Sequence, residues 1–99
     1  MESAKEDIKK SKLQEYLLRS IDLYLLDNQE KYGFIHVEMV ILSDDLRRAK
    51  IIIRPMGKIR NPGNVVDEIE KNKQNIFQKS REQFRAKYYP SLEFEIINE

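Results

Sequence analysis

No cysteine occurs among the 99 residues. A disulfide framework and a thiolate metal site are therefore excluded, which fits a reducing compartment. Glycine is nearly as scarce: Gly33, Gly57 and Gly63 are the only three, and neither a Walker A loop nor a dinucleotide fingerprint can be assembled from them. The single histidine, His36, lies in a strand-like run without a carboxylate cluster to complete a metal site, so it reads as structural or surface. No apolar run approaches the roughly 18 residues of a membrane span. Residues Met1 to Asp7 lack the apolar core of a secretion signal and are too acidic for an organellar transit peptide. The expectation is a cytoplasmic protein with no cofactor, no metal and no catalytic residues.

What remains suffices for one compact domain, which at this length buries roughly 60 to 65% of its unfolded surface. Residues 1–99 are read as that single domain, with 1–7 expected to be disordered. Charge is nearly balanced, with 18 basic and 17 acidic residues, but it is unevenly spread. Between Leu46 and Lys87 stand twelve basic residues (Arg47, Arg48, Lys50, Arg54, Lys58, Arg60, Lys71, Lys73, Lys79, Arg81, Arg85 and Lys87) against four acidic ones, a net of +8. Every other segment is net acidic. A locally basic surface attracts polyanions and steers their encounter, which makes nucleic acid the leading partner class. The same charges also fit ordinary solvated faces.

Residues Gly33 to Arg54 hold two apolar runs around a turn-rich connection, the pattern of a β-hairpin. In the first run Ile35, Val37, Val40 and Leu42 can share a face only if the alternation slips by one near Glu38 and Met39, which predicts a β-bulge. In the second, Ala49, Ile51 and Ile53 form a core face while Lys50, Ile52 and Arg54 form a cationic one. Asp44 and Asp45, in the connection, are better explained by local turn hydrogen bonds than by acid/base chemistry.

Upstream, from about Ile8 to Leu26, Leu13, Tyr16, Leu17, Ser20, Ile21, Tyr24 and Leu25 recur at helical spacing, and the helix should end near Asp27 and Asn28. Downstream, residues 56–64 collect Gly57, Pro62 and Gly63 in a loop, after which Asn64 can cap a second helix that carries Val65, Val66 and Ile69. The stripe resumes at Ile76, Phe77, Ser80 and Phe84, across a polar gap at 70–75 that is read as a bend between two helices. A last strand spans 92–97 after Tyr89 and Pro90 have forced an extended approach. The order is α-β-β-α-α-β, an α+β fold.

This order, with Gly33 and Phe34 before the first strand, Leu42, Ser43, Asp45, Leu46 and Ala49 around the turn, and Tyr88, Pro90, Leu92 and Phe94 downstream, resembles the ribosome-binding factor A family of small-subunit maturation factors. Residues 12–97 can be laid on that pattern. The resemblance implies a KH-like type II domain, whose three-stranded sheet is covered by helices on one face. It also implies a non-enzymatic factor that binds the small ribosomal subunit through rRNA, as a monomer, and assists late assembly and rRNA 5′-end processing.

Two departures stand out. The Gly-x-x-Gly loop with which KH domains clamp nucleic acid is absent. The family's Ala-x-Gly bend is replaced by Asn72, Lys73 and Gln74, where Lys71 and Lys73 can supply phosphate contacts instead. Tyr88 and Tyr89 can stack on unpaired bases or anchor the strand. Two other classes stay open: a general single-stranded RNA-binding module, and a protein-interaction domain anchored by Ile52 and Ile59.

Overall fold

Two requirements shape the chain: helix α1 must hide an apolar stripe, and a sheet must offer a face to hide it against. The computed structural model describes residues 2–57, 62–76, 78 and 90–97. Helix α1 (Glu2–Asp27) buries Leu13, Leu17, Ile21, Tyr24 and Leu25. It begins at Glu2, so residues 2–7, expected to be disordered, form its first turns. Ala4, Lys5 and Glu6 are good helix formers, and propensity there needs no apolar stripe.

The helix stops where expected. The Asn28 side-chain amide donates to the Tyr24 carbonyl at 2.8 Å, competing with the next helical bond. A four-residue turn that the sequence reading did not contain follows as α2 (Gln29–Tyr32). Gly33 closes it at φ 84°, a left-handed conformation suited to glycine, and its N–H donates to the Gln29 carbonyl at 2.7 Å. Tyr32 packs against Tyr24 with ring centroids 6.4 Å apart. Burial, reinforced by the neighbouring Tyr32 phenol, pushes the Tyr24 hydroxyl pKa up to about 12.

The sheet has the order β1 (Ile35–Leu42), β2 (Arg48–Pro55), β3 (Ser91–Ile96), with β1 antiparallel and β3 parallel to the central strand. Val37 pairs with Ile53 and Met39 with Ile52, so Glu38 is the extra residue of the expected bulge. That slip brings Ile35, Val37, Val40 and Leu42 onto the same face as Ala49, Ile51, Ile53, Leu92 and Phe94. All of these are buried with the stripe of α1 and with Ile69 and Ile76. Among the described residues, no element packs over the other face of the sheet.

Helix α3 (Pro62–Lys71) starts two residues before the expected Asn64 cap. Proline suits the first helical position, because its missing N–H would have had no partner there. The helix is interrupted at Asn72, and 73–76 are helical again, which is the expected bend. The remainder of the expected second helix, beyond 76, falls almost wholly outside the described residues.

A three-stranded sheet has two open edges, and here helix side chains occupy both. On β1, Asp22 accepts the Val37 N–H at 2.9 Å and the Gln14 amide donates to the Val40 carbonyl at 3.2 Å. On β3, Glu70 accepts the Phe94 N–H at 3.0 Å and the Lys73 ammonium donates to the Leu92 carbonyl at 2.9 Å. Such coverage keeps an edge from pairing with another chain.

The hairpin connection is held by two short side chains. Ser43 Oγ donates to Asp45 at 2.6 Å and accepts the Arg48 N–H at 3.0 Å, while Asp45 accepts the Arg47 N–H at 3.0 Å. Leu46 sits at φ 60°, its N–H donating to the Ser43 carbonyl at 2.9 Å.

Replacing Asp22 by Ala should leave a strand N–H without its partner, lowering stability by about 1–3 kcal/mol in urea unfolding and speeding exchange of the Val37 amide. In the connection, the Ser43 hydroxyl and then the Arg47 N–H hold the Asp45 carboxyl below its usual range. A depressed carboxyl stabilises above its unfolded pKa and loses that contribution as pH falls through the folded value. The Arg47 amide resonance should therefore titrate with a midpoint below the ordinary carboxylate value of about 3.9, and Asp45→Asn should abolish that titration.

Candidate nucleic-acid interface

Arg47 and Arg48 follow directly from the turn that Ser43 and Asp45 organise. Both are exposed, and among the described residues neither side chain makes an ion pair. Their backbone is fixed on the far side as well, because the Ser91 N–H donates to the Arg47 carbonyl at 2.9 Å. The start of β3 is thereby tied to the hairpin connection.

The helix bend comes to the same end of the sheet. Register pairs Arg48 with Ser91 and Ala49 with Leu92, and Leu92 is the residue whose carbonyl Lys73 holds. The fold thus gathers Arg47, Arg48 and the segment 71–74 from two separate stretches of sequence. At the bend, the Asn72 side-chain amide donates to the Glu68 carbonyl at 2.8 Å and the Asn75 N–H to the Asn72 carbonyl at 3.0 Å. One helix is closed and the next is opened by the same residue.

The two lysines of the bend differ. Lys71 is 74% exposed, with its ammonium 3.8 Å from Glu68, a loose surface pair. Lys73 is engaged internally, 2.8 Å from Glu70 besides its bond to Leu92. Gln74 is exposed. Glu70, which sequence reasoning passed over, is part of this cluster; its spacing of three from Lys73 inside the polar gap was the available signal.

The open sheet face is not the cationic surface its central strand suggests. Arg48, Lys50 and Arg54 of β2 share it with Glu38 of β1 and with Glu93 and Glu95 of β3, three charges of each sign. Lys50 lies 2.9 Å from Glu95, whose carboxylate raises the lysine pKa, and the Arg54 Nε lies 3.1 Å from Glu38. The period-two reading of β2 holds; the acidic rows come from strands whose pairing the sequence does not print. His36, half-exposed, lies 3.6 Å from Glu38 on this face. Ile52 is half-buried.

The opposite end of the sheet is apolar. Leu26, Phe34 and Met56 are exposed around a groove of about 190 Å³ floored by Leu25 and Ile35 and flanked by Asp22 and His36. Of the remaining sequence candidates, Lys58, Ile59, Arg60, Lys79, Arg81, Arg85, Lys87, Tyr88 and Tyr89 lie outside the described residues. No described helix is long and apolar enough to cross a membrane.

Comparison with protein-family models and with curated proteins finds no match. Solved structures do match. The crystal structure of ribosome-binding factor A from Thermus thermophilus superposes with a TM-score of 0.76 at 18% identity, covering 88% of this chain and 94% of that one. The solution structure of a Thermotoga maritima protein, described as a candidate ribosome binding factor A, superposes with a TM-score of 0.65 at 21% identity, covering 90% and 83%. The α+β chain, with its mixed three-stranded sheet and interrupted helix, has the fold of these ribosome-binding factor A structures.

Proposed function

We propose that the protein is a non-catalytic ribosome assembly factor, cytoplasmic and monomeric, that binds the small ribosomal subunit through its rRNA and assists late assembly and 5′-end processing. The observation that carries this reading is the likeness to ribosome-binding factor A over nearly the whole of both chains. Its mechanism is to hold one rRNA conformation by contacts to phosphates. Arg47, Arg48 and Lys71 are the described side chains best placed for those contacts, since they are exposed, gathered at one end and unengaged or only loosely paired. Lys58, Arg60, Lys79, Arg81, Arg85 and Lys87 complete the proposed set from the sequence. Lys50 and Arg54 are secondary members, because Glu95 and Glu38 already hold them.

Magnitudes favour a structured target over a bare strand. The three described contacts alone give a salt slope of about −2.1 to −2.7, a loss of roughly 18- to 42-fold in affinity between 50 and 200 mM salt. All nine would give about −6 to −8, a loss of roughly 10⁴-fold or more, so charge alone does not hold the protein at physiological salt. Charge on that scale orients the protein, while shape complementarity to the particle supplies the remaining selectivity. One feature favours a second reading, protein interaction: the apolar groove at Leu26, Phe34 and Met56.

Sedimentation with immature and mature small subunits at both salt concentrations tests the proposal. The expected result is salt-tolerant association that prefers the immature particle, reduced at least roughly tenfold by the double reversal Arg47→Glu, Arg48→Glu. A folded wild-type protein absent from both particles would overturn it. Association that the reversal leaves unchanged would favour the protein-interaction reading.

A further inference from the structure

We propose that Glu70 and Lys73 are positioning residues that clasp the helix bend to the free edge of β3, fixing Lys71 against Arg47 and Arg48. The argument starts from the geometry of a parallel ladder. A residue of a neighbouring parallel strand would donate its N–H to one carbonyl of β3 and accept the N–H two residues further on. The Leu92 carbonyl and the Phe94 N–H are such a pair. Lys73 Nζ bonds the first at 2.9 Å, Glu70 Oε1 bonds the second at 3.0 Å, and Glu70 Oε2 lies 2.8 Å from the same ammonium. The ion pair thus stands in for one residue of a fourth strand. Its carboxylate plays the carbonyl and its ammonium plays the amide.

This arrangement explains what the polar gap at 70–75 does. The break at Asn72 is satisfied locally by its own side chain, and that local cap carries no information about where the bend sits relative to the sheet. Ile69 and Ile76, both buried, anchor the helical segments on either side. The clasp lies between those anchors and ties the bend to β3, whose start is bonded to the hairpin connection through Ser91 and Arg47. Lys71 is one residue past Glu70 and two before Lys73, so its place is set by the same pair.

Lys73 consequently acts through geometry. Two of the three N–H donors of its ammonium are taken by a carbonyl and a carboxylate, and the Glu70 carboxylate neutralises its charge, so it offers a phosphate less than Lys71 does. The chain contains a lysine that looks from sequence like a phosphate contact and is built as a structural donor. The functional half of this inference rests on the rRNA-binding reading; the clasp itself does not.

The test uses the full chain with Glu70→Ala, Lys73→Met, Lys73→Arg and Lys71→Met. Two readouts are taken: amide hydrogen exchange in the free protein, and the salt dependence of binding to immature small subunits. Exchange at Phe94 should accelerate roughly tenfold in Glu70→Ala and Lys73→Met, stay near wild type in Lys71→Met, and be restored by Lys73→Arg. Lys73→Met should weaken binding at every salt concentration with the slope unchanged, whereas Lys71→Met should make the slope shallower by about 0.7 to 0.9. Unchanged Phe94 exchange in both clasp variants would overturn the clasp. A slope reduced by Lys73→Met as by Lys71→Met would overturn the positioning role and make Lys73 a phosphate contact. If wild type binds neither subunit, the ribosomal reading fails, and Phe94 exchange alone decides the clasp.

Discussion

A sheet of three strands must satisfy two edges and bury a face with very little chain, and the rest of this structure depends on how the edges are met. The burial of one face is ordinary: apolar residues of β1, β2 and β3 meet the stripe of α1. The edges are handled by polar side chains placed on the helices that cover that face. Asp22 and Gln14 on one side, and Glu70 and Lys73 on the other, each supply an acceptor for a strand N–H and a donor for a strand carbonyl. The helices are therefore held in register with the strands by directional bonds as well as by non-directional apolar contact.

That registration divides the protein lengthwise. One end of the sheet gathers the hairpin connection and the helix bend, with exposed arginines and Lys71. The other gathers Leu26, Phe34 and Met56 around a groove. Between them the open face carries Lys50 and Arg54 against Glu38, Glu93 and Glu95, arranged as rows on neighbouring strands. A polyanion meeting this molecule would be oriented towards one end, because the face between offers it no net attraction.

Periodicity made much of this legible in advance. The bulge at Glu38 followed from the need to keep Val37 and Val40 on one face, and the helix break followed from six polar positions between Ile69 and Ile76. The order of elements was readable because each has its own period and its own punctuation. Partnerships across the chain were harder to read. Nothing local to Lys50 or Arg54 announces Glu95 and Glu38, and nothing local to Lys73 announces the Leu92 carbonyl. A lysine in a polar gap looks the same whether its ammonium faces solvent or a strand edge. Pairing of distant segments is what separates the two, and period and composition do not encode it.

The parallel pairing of β2 with β3 carries a kinetic consequence. Arg48 and Ser91 are 43 positions apart, whereas the β1–β2 hairpin closes over a short turn. Closing a long loop costs entropy before any contact repays it, so the hairpin and α1 can form early while β3 must wait. The basic end needs β3 for its completion, since both the Ser91 bond to Arg47 and the anchoring of the bend require the strand to be in place. The basic end is thus completed only when β3 docks, and its completion is lost in any partial unfolding that releases that strand.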